Sequence, residues 1–185
     1  MNAQQLGEQC AATLAGRKTG SLFTVRPIKR TELYAELRTW NQILVGKGLR
    51  IIPLRVREDT ALVYLYRTEQ LERDLQVPQA VRILETLGYR KNEAGGYLAQ
   101  LRNRFQNESS FPHEVGLFLG YPPEDVKGFM ENPRKGVKLV GVWKVYGDKE
   151  LAKKKFELFR RCREYYSRHL QNGRPLEQLI VYSAA

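Results

Sequence analysis

Residues 50–67, RIIPLRVREDTALVYLYR, constrain the fold most. Leu54 and Val56 alternate with Arg55 and Arg57, the period of a half-buried strand. Glu58-Asp59-Thr60 reads as a turn, and the run Ala61–Tyr66 is β-branched and aromatic. The spacing predicts two antiparallel strands, near 50–56 and 61–67. Pro53 has no backbone N–H to donate, so the first strand belongs at a sheet edge or carries a bulge. A further strand is expected over 137–146. It would place Val137, Leu139, Trp143 and Val145 on one side, and Lys138, Lys144 and Tyr146 on the other.

The rest reads as helix. A short segment, Leu6–Leu14, is mildly helical and ends at Gly16. Thr31 is expected to cap a helix with Leu33, Leu37, Trp40 and Leu44 at helical spacing, stopped by Gly46 and Gly48. Helical patterns follow at Thr68–Leu75, Pro78–Leu87 and Tyr97–Phe105, then in short form at His113–Leu119 and Pro123–Met130. The glycines of KNEAGGYL read as a loop before a helix. Asp148 caps the strongest helix, about 149–171, ended by Asn172-Gly173. The apolar tail Leu176–Tyr182 is too short to assign to helix or strand. Helices and strands do not alternate regularly. The expected class is therefore α+β: a single compact domain, 1–185, with a small, mainly antiparallel sheet packed with several helices.

Length and composition agree with that class. A chain of 185 residues buries a core without disulfides, and two cysteines make no disulfide framework. No apolar run approaches a membrane span, and the N-terminus lacks the features of a secretory signal, so a cytoplasmic protein without membrane contact is expected. The net charge of +11 sits at the two ends. Residues 1–50 and 151–185 each carry 8 basic and 3 acidic side chains, while the middle is close to neutral. If the ends meet in space they form one positive face, which favours anionic partners.

The basic helix supports two readings. Lys153, Lys154, Lys155, Arg160, Arg161, Arg163 and Arg168 could track nucleic-acid phosphates. Four of them, Lys153, Arg160, Arg161 and Arg168, stand four apart from Glu157 or Glu164, in a ladder of exposed pairs typical of a solvated face, and the spacing favours that reading. Ala152, Phe156, Phe159, Cys162 and Tyr166 form the opposite, core-facing stripe. In HEVGLFLGYPPEDVKGF, Gly116, Gly120 and Val126 stand at helix-turn-helix spacing. The second helix, however, begins with Glu124 and Asp125, which would be repelled by DNA but suit a helix N-terminus.

Two further chemistries are open to this chain. Cys10, read as standing where a short helix begins and with Arg17 and Lys18 close by, could be a nucleophile with His113 as its base; a small buried cysteine is the commoner case. His113, Glu114, Cys10 and Cys162 lack metal-ligand spacing, and no metal is expected. Arg67, Lys144 and Tyr146 could meet an anion at a sheet end, or form a solvated sheet face.

The blocks CAATLAGRKTGSLF, LVYLYR, FPHEVGLFLGYPPEDVKGF and GVWKVYGDKELAKKKFELFRRCREYY occur in this order. Together they resemble a family found in anaerobic Firmicutes, domain-of-unknown-function family 3793. Ala12 stands where that family's pattern has proline. The resemblance implies a bacterial, intracellular protein and carries no activity or cofactor with it. It marks Cys10, Lys18, Arg67, His113, Glu114, Trp143, Lys144, Tyr146 and Cys162 as family-type positions. A set so rich in polar groups implies a polar pocket. The expected function is a binding or regulatory module that holds a small anionic ligand, cofactor or partner near Lys18, Arg67, His113, Glu114, Trp143, Lys144 and Tyr146. The alternatives are a nucleic-acid-binding protein using its basic ends, and a Cys10–His113 enzyme.

Overall fold

A computed structural model describes residues 1–26, 29–90 and 93–182. Its elements are α1 (Ala3–Leu14), β1 (Gly20–Val25), α2 (Arg30–Leu44), β2 (Leu49–Val56), β3 (Ala61–Arg67), α3 (Thr68–Leu75), α4 (Pro78–Thr86) and α5 (Ala94–Asn107). These are followed by α6 (Val115–Phe118), α7 (Pro123–Glu131), β4 (Leu139–Val140), β5 (Lys144–Val145), α8 (Lys149–Gln171) and α9 (Leu176–Leu179). The class is α+β, with a small antiparallel sheet. No helix among the described residues is long and apolar enough to cross a membrane.

The expected hairpin is β2–β3, and β3 is central in the order β1-β3-β2. Pro53 sits on an edge strand and at a bulge, because the register slips between Pro53 and Arg55. The strand β1 was not anticipated; it pairs with the far side of β3, from Gly20 opposite Tyr66 to Val25 opposite Ala61.

With a neighbour on each side, β3 is buried on both faces. Tyr64 and Tyr66 enter a core with Leu71, Leu84, Tyr97 and Phe118, from α3 to α6. Val63 and Leu65 enter a second core with Leu6, Leu14, Leu37 and Tyr166, from α1, α2 and α8. The sheet thus divides the molecule into two apolar halves, each closed by helices.

Four expectations are corrected. Thr31 is not the cap of α2; Lys29 holds that position, with no side-chain hydrogen bond. Gly95 and Gly96 lie in the first turn of α5, because the Glu72 carboxylate on α3 accepts the Ala94 N–H at 2.8 Å and starts the helix from outside the segment. Lys91 and Asn92 of that stretch lie outside the described residues. The strand expected over 137–146 is a hairpin of two short strands, with Leu139 opposite Val145. Its turn presses on α8 at Gly141, where any side chain would collide with the Phe156 ring. Finally, Cys10 lies well inside α1 rather than at its start.

The helix α8 has the expected bounds; it packs on α1 through Cys162, Tyr166 and Leu170, and on the β4–β5 hairpin through Ala152 and Phe156. The two ends of the described chain therefore do meet. The tail forms α9 and then an extended segment whose Val181 N–H donates to the Leu14 carbonyl at 3.0 Å.

Candidate functional site

A cavity of 420 Å³ opens between α6, α7 and the β4–β5 hairpin. Its position follows from one carboxylate. Asp125, in the first turn of α7, is 2% exposed and accepts three hydrogen bonds, from Trp143 Nε1 and from the backbone N–H groups of Tyr146 and Gly147, each at 2.7 Å. That latch folds the hairpin against α7 and fixes the indole. Trp143 then stacks on Tyr121 with ring centroids 4.6 Å apart, and meets Phe156 of α8 edge-on at 4.5 Å. Gly116 lets α6 approach α7: a Cβ there would come within 2.8 Å of Val126. The tight two-helix turn expected from the sequence is thus present, with Gly120 at φ 76°. Asp125 is occupied in holding the hairpin rather than facing solvent.

The cavity wall is mainly aromatic and aliphatic, with two nitrogen-bearing side chains. His113 sits between Phe111 and Phe129, at 5.6 and 5.0 Å between ring centroids. Lys144 Nζ lies 5.6 Å from the Phe129 centroid and donates to the Pro133 carbonyl at 2.9 Å. Phe111, Val140 and Val142 leave apolar surface in water at the mouth, 42%, 67% and 44% exposed.

Behind the Tyr121–Trp143 wall lies Lys18. Its Nζ is 5.2 Å from the Tyr121 ring centroid and 6.0 Å from that of Phe159. Burial holds its ammonium down at about 8, against a slight opposing influence of Cys10. The Tyr121 phenol is pushed up to about 12 by the same burial. Among the described residues Lys18 has no ion pair, and the Tyr121 and Phe159 rings lie beside its ammonium.

His113, Trp143 and Lys144 therefore share one cavity, with Lys18 behind its wall. Tyr146 lies just outside, its hydroxyl donating to the Asn132 carbonyl at 3.0 Å. Glu114, although adjacent to His113, turns into the core, where it lies 2.7 Å from Arg104 Nε and accepts from Tyr89 at 2.9 Å. Cys10 and Arg67 lie on the other side of the sheet. Cys10 has no exposure, and burial pushes its thiol up to about 12, against weaker opposing effects of Lys18 and Ser21. It is not brought together with His113. Arg67, 3% exposed, donates Nε to the Thr13 carbonyl at 2.7 Å and Nη2 to the Leu14 and Val181 carbonyls at 2.8 Å. It clamps the end of α1 to the C-terminal segment. No group of three or more His, Cys, Asp or Glu that could hold a metal occurs among the described residues.

On α8, Glu157 pairs with both Arg160 and Arg161, and Arg160 also with Glu164, as a solvated ladder requires. Lys153 pairs backward with Glu150 at 2.8 Å instead of forward with Glu157. Lys154 is exposed, and Arg168 lines a shallow groove with Arg163 and Glu164.

Sequence reasoning missed Asp125, Tyr121 and Phe129 as parts of the site. Asp125 had a local explanation, the helix N-terminus, which concealed its tertiary one. The pairing of one buried carboxylate with one buried indole N–H was the available signal.

A family model described as protein of unknown function (DUF3793) matches residues 6–180, and the chain belongs to that family. No curated protein and no solved structure matches it.

Proposed function

We propose that this DUF3793 protein is a binding module whose site is the cavity between α6, α7 and the β4–β5 hairpin. The ligand class is a small amphipathic anion. An apolar or aromatic body would lie against Phe129 and Trp143, and an acidic head would reach Lys144, with His113 beside it. The observation that carries this reading is the pairing of a mainly apolar, aromatic-walled cavity with a cationic amine at its edge. An anion lacking an apolar body would leave that wall wet, and a neutral apolar ligand would leave the amine unused. The two free thiols support a reducing, cytoplasmic location for this module.

The test uses two probes of one shape, 1-anilinonaphthalene-8-sulfonate and its uncharged parent N-phenyl-1-naphthylamine. They are titrated against a Trp40→Phe background, so that quenching reports Trp143. The sulfonate is expected to bind about tenfold more tightly, as one charge-assisted contact implies. Lys144→Glu is expected to remove that preference. An unchanged preference in Lys144→Glu, or no quenching of Trp143 by either probe, overturns the reading.

A further inference from the structure

A second concavity, of 290 Å³, lies at the free edge of β2, between the N-terminus of α2 and α5. Four arginines converge on it: Arg30 of α2, Arg55 of β2, Arg57 just past the end of that strand, and Arg102 of α5. None of the four has an ion-pair partner among the described residues. The one carboxylate on the lining, Glu108, is paired with Arg104 at 3.2 Å.

This convergence depends on the bulge at Pro53. Arg55 stands opposite Leu62, and Val56 opposite Ala61. Without the extra residue, Arg55 would face Ala61 and point into the core under α1 and α2. The bulge turns it to the same side as Leu54, toward α5, and leaves Val56 to fill the core. A strand that read as simple alternation thus presents Arg55 and Arg57 beside Arg102.

The surroundings suit phosphate. Arg30 opens α2, whose N-cap makes no side-chain bond, so the positive end of a fifteen-residue helix adds to the guanidinium charges. Tyr34, one turn along, carries the Arg30 guanidinium 5.8 Å from its ring centroid and offers a flat face. Pairing by an added strand is discouraged at this edge. The Asn41 side chain already accepts the Ile51 N–H at 3.0 Å and donates to the Ile51 carbonyl at 2.8 Å, while Pro53 has no N–H. What the edge offers is planar, bidentate donors, the arrangement that recognises phosphate oxygens.

We infer that this arginine groove is an anion site, separate from the aromatic cavity, for a ligand bearing two or more neighbouring phosphates. Those phosphates could belong to a compact polyphosphate or to a nucleic-acid backbone. A fluorescein-labelled, ten-nucleotide single-stranded oligothymidylate and inorganic tripolyphosphate distinguish the two sources, by anisotropy and by competition at low salt on the full chain. In the double variant Arg55→Gln/Arg102→Gln, affinity is expected to fall at least tenfold. The log–log salt slope for the oligonucleotide should drop by about 1.4. The variant Lys153→Gln/Lys154→Gln on α8 is expected to bind as the parent does. Competition by tripolyphosphate assigns a compact ligand, and its absence assigns an extended backbone; either supports the site if the groove variant loses binding. Failure of both probes to bind, or equal binding by parent and groove variant, overturns it. Circular dichroism of the variants separates lost contacts from lost fold.

Discussion

The two faces of β3 treat their polar side chains in opposite ways. On the α1 and α8 face, Cys10 is sealed, and Arg67 directs bonds to backbone carbonyls of two distant segments. On the other face, His113 and Lys144 stand at a cavity with open apolar surface. The side-chain types are similar, yet their occupations differ. A reactive residue type becomes available for binding only where the packing leaves it room and leaves part of its donor capacity uncommitted, as one bond to the Pro133 carbonyl does for Lys144.

That contrast can be broken most severely at Arg67. Arg67→Met leaves three carbonyl contacts unmade around a buried site. It should cost about 3–5 kcal/mol, read as a lower urea midpoint at unchanged slope. A loss under 1 kcal/mol would mean that this face is not held as described. Asp125→Ala comes next. It strips acceptors from the Trp143 indole and two backbone N–H groups, at a cost of about 2–4 kcal/mol. It should also red-shift Trp143 emission as the hairpin lifts. Lys144→Glu should sharpen the comparison from the other side, leaving stability within about 0.5 kcal/mol while altering anion binding.

A pH-dependent effect concerns Lys18, which lies behind the Tyr121–Trp143 wall. Its folded ammonium titrates near 8, whereas in the unfolded chain it keeps its proton to about 10.5. Between pH 8 and 9 the unfolded state therefore binds more protons, and stability rises with pH. Thermal midpoints of the parent, minus those of Lys18→Met, should climb over that window and be flat below pH 7. A flat difference throughout would show that the ammonium is not desolvated.

Legibility in the sequence followed locality. The bounds of α3 and α8, and the β2–β3 hairpin with its edge and bulge, rest on spacing and turn chemistry within one segment. They were readable there. The strand β1 was not, because GSLFTV is short and mixes small and polar residues. Its justification is the buried partner β3, some forty positions away in the chain. The site divides similarly. His113, Trp143 and Lys144 were singled out by residue type and do share a cavity. Arg67 was singled out for the same reason, but its surroundings come from Thr13, Leu14 and Val181. No pattern around position 67 could have announced them.

The packing of α1 on α8 has a consequence for biosynthesis. The first helix leaves the ribosome with an apolar side, including Leu6 and Leu14, whose partner Tyr166 lies about 150 positions later. At roughly 5–20 residues per second, that side waits on the order of ten seconds for its cover. During that interval the emerging chain carries apolar surface open to aggregation. Slow codons placed before the last helix would lengthen its exposure.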